Sequence, residues 1–206
     1  MTNVVKKSLA LSVFSCLLAA SPAQAGFGYD IGDTVPDFVG THADGLDDTS
    51  LYDLLGQKTV LNLSASWCVP CQDAATAAGQ IKSILSTLGH DVNWIEILFE
   101  NGSYQRPATV VDGLDWADTY GVDYDEVWIG DQATAAFQGF VDALPPFVGF
   151  SIPWFVVLDE NMTVIGNINE YLGANALAEQ VNAIYTPEPT SLALLGLAGL
   201  AILRRR

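Results

Sequence analysis

Cys68 and Cys71 stand two residues apart in Trp67-Cys68-Val69-Pro70-Cys71, directly after the apolar run Thr59-Val60-Leu61-Asn62-Leu63-Ser64 and at the opening of an Ala-rich helical pattern. At a strand-to-helix junction the first sulfur lies among the free backbone N–H groups of a helix N-terminus. The dipole there favours a thiolate over a thiol. Such a cysteine is suited to attack disulfides, and the elements that must hold it are a buried strand before it and a helix after it.

Cys16, the remaining cysteine, falls in a segment that reads as a secretory signal. Lys6 and Lys7 precede an apolar stretch from Leu9 to Ala20, and Ser21-Pro22-Ala23-Gln24-Ala25 offers signal peptidase an A-x-A site before Gly26. Lipidation of Cys16 is the other possible use, but Val13-Phe14-Ser15 is a poor lead-in for it. Export leads to an oxidising compartment, where a close cysteine pair is either a parked disulfide or a working redox centre. At the other end, Thr186-Pro187-Glu188-Pro189-Thr190 leads into an apolar run from Ser191 to Leu203, closed by Arg204, Arg205 and Arg206. This tail resembles the PEP-CTERM sorting signal, which implies recognition and cleavage by an exosortase in the envelope of a Gram-negative bacterium. The run is shorter than the roughly 20 residues a bilayer core requires, so it suits transient insertion through a short transmembrane helix. Positive charge at both ends stays cytoplasmic and leaves the intervening chain in the periplasm or at the cell surface.

Residues 26–185 suffice for one domain with its own core. Of the 24 acidic residues only Glu188 lies outside this stretch, which holds just Lys58, Lys82 and Arg106 as basic residues, so its formal charge is about −20. That excess argues against nucleic acid or an anionic membrane as a partner. Asp112, Asp115, Asp118, Asp123, Asp125 and Glu126 could attract calcium, yet they lack EF-hand spacing and read as a solvated acidic face.

Periodicity predicts an extended lead-in over Ile31–Phe38, a short helical turn over Ser50–Leu55 and a strand over Thr59–Ser64. A helix follows from Val69 to Leu88, with Ala74, Ala77, Ala78, Ile81, Ile84, Leu85 and Leu88 on one stripe. Next come a strand over Val92–Phe99, a helix over Val111–Tyr120 stopped by Gly121, and a helix over Ala133–Leu144 stopped by Pro145-Pro146. Strands over Pro153–Leu158 and Met162–Ile168 flank a turn, and Ala174–Tyr185 is the last helix. The order predicts a three-layer α/β/α domain with a central mixed sheet.

These residues in this order resemble the thioredoxin fold, and within it the TlpA/ResA-like (redoxin) branch of exported thiol-disulfide oxidoreductases. Three stretches carry the resemblance: Gly32-Asp33-Thr34-Val35-Pro36-Asp37-Phe38, Ala65-Ser66-Trp67-Cys68-Val69-Pro70-Cys71 and Ser151-Ile152-Pro153-Trp154-Phe155-Val156-Val157-Leu158-Asp159. It implies that Cys68 is the nucleophile, outermost, and Cys71 the resolving thiol beneath it, the two forming a redox-active disulfide with no other cofactor. It further implies that Pro153 follows a cis bond, turning the backbone of Ile152 toward the sulfurs so that it pairs with an extended substrate; without the resemblance that bond would be read as trans. Pro70 suits the first helical turn. Trp67 either shields one side of the sulfur pair or packs in the core. The implied partners are protein disulfide substrates and a membrane thiol reductase as electron donor. Val69-Pro70 and Ile152 lean toward a reductase.

Two positions depart from the pattern. Asn62 stands where thioredoxins proper carry a buried aspartate, and Ala74 where the branch often has a glutamate. Glu96, on the strand beside the one carrying Asn62 and on a face with Val92, Trp94 and Leu98, is the candidate proton acceptor for Cys71; the alternative puts it at a sheet end in water. Three other activities compete with disulfide exchange. A peroxiredoxin-like peroxidase needs a lone cysteine with Thr and Arg neighbours, which Val69 and Pro70 displace. A copper chaperone needs a histidine downstream, and His42 and His90 do not supply it, so no metal is expected. A surface or matrix domain with an inert Cys68–Cys71 clip gains little, because so short a loop removes little chain entropy.

Overall fold

The computed structural model describes residues 30–144 and 149–186; the secretory signal, Pro145-Pro146 and the apolar tail lie outside them. The elements are β1 (Val39–His42), β2 (Asp48–Ser50), a 3-10 turn (Leu51–Leu54), β3 (Lys58–Ala65), α1 (Val69–Thr87), β4 (Val92–Glu100), α2 (Val110–Tyr120), a second 3-10 turn (Tyr124–Glu126), β5 (Val127–Ile129), α3 (Asp131–Asp142), β6 (Trp154–Leu158), β7 (Val164–Ile168) and α4 (Ala174–Tyr185). They build one mixed sheet in the order β2-β1-β5-β4-β3-β6-β7.

β3 is central because it can be buried on both faces. Seven of its eight residues are buried, and it pairs in parallel with β4 and antiparallel with β6. Even-numbered and odd-numbered side chains then feed different layers. On one face Val60, Trp94, Phe155 and Val157 meet Ala74, Ala78, Ile81 and Leu85 of α1 and Leu177, Ala178 and Val181 of α4. The other face carries Leu61, Leu63 and Phe99 under Phe137 and Phe140 of α3, with Phe99 and Phe137 stacked at 3.5 Å between ring centroids. The result is the three-layer α/β/α domain with a mixed sheet that the sequence predicts. Tyr185 closes it from the C-terminal side, its hydroxyl donating to the carbonyl of Leu158 at 2.9 Å.

Three strands are absent from the sequence reading. β1, β2 and β5 span three or four residues, too few for an alternation to register, and tertiary pairing makes them: β5 joins β4 in parallel while β1 joins β5 antiparallel. α3 begins two residues earlier than expected, at Asp131, whose carboxylate suits the positive end of the helix, and ends at Asp142. The lead-in is mostly irregular, tied down by a bridge between Thr34 and Thr163.

β1 is held to the sheet through a glycine. A Cβ at Gly40 would run into the indole of Trp128, a fully buried ring with no room to yield. Gly40→Ala is therefore expected to cost about 1–3 kcal/mol of stability as an overpacking change. Chemical denaturation measures it, and a midpoint equal to that of the unsubstituted protein would contradict this account of β1.

Candidate functional site

The carboxyl ends of β3 and β4 meet where α1 begins, and β3 delivers Ser66, Trp67 and Cys68 to that edge. Cys68 is the N-cap of α1, with extended backbone at φ −84° and ψ 104°, and Pro70 sits in the first turn. Its sulfur accepts the backbone N–H of Cys71 at 3.3 Å, one of the orphan donors of the helix start. Cys68 and Cys71 form a disulfide across a Cα separation of 5.2 Å. Cys68 is 4 % exposed and Cys71 is fully buried. Cys71 is the deeper of the two, and Cys68 is far more covered than a simple helix start would leave it.

The cover comes from the loop before β6. The Ile152–Pro153 peptide is cis, and the carbonyl oxygen of Ile152 lies 3.6 Å from the Cys68 sulfur. On the other side Trp67 is 39 % exposed, so it is not a core residue. Its indole N–H donates to Glu100 at 2.7 Å, and its ring lies against Tyr104 at 5.2 Å. Glu100 also accepts from Arg106 Nε at 3.0 Å, and the guanidinium lies over Phe99 and Phe137. Gln72 Nε2 donates to the carbonyl of Ser66 at 2.7 Å and so ties the loop to the helix it precedes.

Beneath α1 lies Glu96. It is fully buried and aligned in register with Asn62, which excludes the solvent-exposed sheet end. Trp94 Nε1 donates to one carboxylate oxygen at 2.7 Å; Asn62 Nδ2 and Ser64 Oγ donate to the other at 2.7 and 3.2 Å. Trp94 packs under α1, so Glu96, two residues on, faces the same helix nearer its cysteine end. Burial outweighs those three hydrogen bonds and pushes its carboxyl up to about 7. Asn62 Oδ1, also buried, has no partner.

Cys68, Cys71, Trp67, Pro70, Ile152 and Pro153 thus converge, with Glu96 in the sheet below. The sequence reading passed over Glu100 and Tyr104. Glu100 shares strand parity with Glu96, and the domain's single arginine follows six residues later, a pairing that could have flagged it. Among the described residues no cluster of His, Cys, Asp and Glu is arranged to hold a metal ion, and no helix is long and apolar enough to cross a membrane.

Residues 186–206 match the PEP-CTERM protein-sorting motif. No curated protein matches the chain. Among solved structures, a thioredoxin-family thiol:disulfide interchange protein from Chlorobium tepidum superposes with a TM-score of 0.57 at 18 % identity, covering 75 % of this chain and 97 % of its own. A thiol:disulfide interchange protein from a Bacteroides species gives 0.56 at 12 % identity, covering 77 % and 92 %. A secreted disulfide oxidoreductase of Mycobacterium tuberculosis gives 0.50 at 17 %, covering 71 % and 95 %. The fold of this chain is the thioredoxin fold.

Proposed function

We propose that the domain is an exported thiol-disulfide oxidoreductase acting as a reductase of envelope proteins. The observation that carries this reading is the Cys68 sulfur at the first turn of α1, capped by a backbone N–H and facing the carbonyl of Ile152. In the dithiol form the Cys68 thiolate attacks one sulfur of a substrate disulfide. A Cys68–substrate disulfide forms, the substrate disulfide breaks, and the departing thiolate takes a proton from water. The substrate chain lies extended against Ile152, in the manner of strand addition. Cys71 then gives its proton to Glu96 and attacks the Cys68 sulfur, releasing the second substrate thiolate, which is protonated in turn. Two electrons pass to the substrate and the Cys68–Cys71 disulfide remains. A membrane dithiol donor then reduces that disulfide back to the Cys68 and Cys71 thiols and is itself left as a disulfide.

Signal peptidase and an exosortase process the two ends, and the tail holds the domain at the envelope until it is cut; the sorting motif supports this half of the reading. The reduced protein is expected to reduce insulin disulfides. The Cys68–Cys71 potential against glutathione is expected near about −270 mV, as for reductants; a value near about −120 mV would assign it to oxidation instead.

A further inference from the structure

Trp67 stands next to Cys68 with its side chain half exposed, yet that side chain is tied down. A ring on a surface loop ordinarily samples several rotamers, and fixing one of them costs entropy. Here the indole N–H donates to Glu100 Oε2 at 2.7 Å, a charge-assisted bond to a buried carboxylate. Glu100 Oε1 in turn accepts from Arg106 Nε at 3.0 Å. The guanidinium lies over the rings of Phe99 and Phe137, 4.9 and 5.3 Å from their centroids, and its Nη1 donates to Gln138 of α3 at 3.3 Å. A planar fork seated on aromatic rings keeps one orientation, where a lysine ammonium would have many. The domain's single arginine thus ties the indole to the buried stack between β4 and α3.

A second device bears on the same ring. Tyr104 lies 5.2 Å from Trp67 between centroids and is exposed, so it does not pack in the core either. Its backbone is in the left-handed region at φ 60°, where a tyrosine is strained. Asn101 Oδ1 holds the loop in that shape by accepting the N–H groups of Ser103 and Gln105 at 2.9 and 3.0 Å. A strained loop and an ion pair therefore converge on one half-exposed ring beside the reactive sulfur. That sulfur also meets the carbonyl of Ile152, at 3.6 Å. We infer that Glu100 is a positioning residue for disulfide exchange: clamped by Arg106, it holds the Trp67 indole as a standing wall beside Cys68, so that a polypeptide substrate meets a surface already formed by the indole and Ile152. The inference rests on the oxidoreductase reading and names the residues that set its grip on polypeptides. A wall fixed before binding spares the ordering cost that a free side chain adds when the substrate arrives, so the effect belongs to binding rather than to the chemical step.

Single turnovers of the reduced full chain, followed against insulin concentration, separate the half-saturating concentration from the limiting rate. Trp67→Phe, which keeps a ring and removes the N–H, and Glu100→Ala are each expected to raise the half-saturating concentration about fivefold and to lower the limiting rate by less than about twofold. Both changes remove the same interaction, so in the double variant the second should add less than about 1.5-fold. The Trp67 Nε1–H resonance, assigned by its loss in Trp67→Phe, should exchange with water about tenfold faster in Glu100→Ala. Should Glu100→Ala fail to fold, Trp67→Phe decides alone. An unchanged half-saturating concentration in Trp67→Phe, effects that multiply to about 25-fold in the double variant, or an unchanged exchange rate would overturn the role of Glu100, while insulin reduction by the unsubstituted protein keeps the enzyme reading. Failure of the unsubstituted protein to reduce either insulin or the small disulfide bis(2-hydroxyethyl) disulfide overturns both.

Discussion

Cys71→Ser is expected to trap the Cys68–substrate disulfide and to lower insulin reduction on the order of 10³-fold or more. The resolving thiol acts within the same helical turn, at a Cα separation of 5.2 Å, so its attack draws on a high effective concentration that no external thiol at millimolar level replaces. The trapped species is visible by mass spectrometry as the protein plus one substrate chain, and dithiothreitol releases it. Cys68→Ser gives no adduct and no turnover, because Cys71 is fully buried and cannot meet a substrate. An adduct in Cys68→Ser and none in Cys71→Ser would mean that the order of the two sulfurs is reversed.

Glu96→Gln is expected to slow resolution on the order of 10²-fold, the usual contribution of a positioned base, while the first attack by Cys68 keeps its rate. In the unsubstituted protein the resolution rate should rise with pH through about 7 as Glu96 ionises. In the variant that limb disappears, and the rate follows the ionisation of Cys71 alone. Stability supplies an independent readout. The folded-state pKa lies above the ordinary 4.5, so the folded protein holds this proton more tightly than the unfolded chain does. The stabilisation is complete below about pH 4.5 and is lost as pH rises through about 7, on the order of 3 kcal/mol in all. Glu96→Gln should lack this slope. The glutamine amide can donate to the Asn62 Oδ1 that now has no partner, which keeps the buried network satisfiable. An unchanged pH-rate profile for resolution would remove Glu96 from the mechanism.

Strong periodicity made the centre of this fold readable. The run from Thr59 to Ser64 and the three-four stripe from Ala74 to Leu88 fix β3 and α1, and the junction between them places Cys68 and Cys71 with only short-range geometry. Glu96 stood out for the same reason, since it is the one carboxylate within the predicted strand Val92–Phe99. What stayed hidden depends on residues distant in sequence. β1, β2 and β5 exist because other strands pair with them. The hold of Glu100 on Trp67 spans 33 positions, and the cis bond at Arg106–Pro107 leaves no local mark to separate it from an ordinary X-Pro bond. The cover over Cys68 likewise comes from Ile152, 84 residues away.

The account turns on whether Cys68 is ionised at neutral pH in the dithiol form. Alkylation of the reduced protein by iodoacetamide, followed against pH with each cysteine quantified by peptide mass spectrometry, measures this directly. Cys68 is expected to react with a midpoint below about 7.5, well ahead of Cys71, as a thiolate held at a helix N-terminus does. Two cysteines that titrate together near about 8.5, as free thiols do, would contradict it.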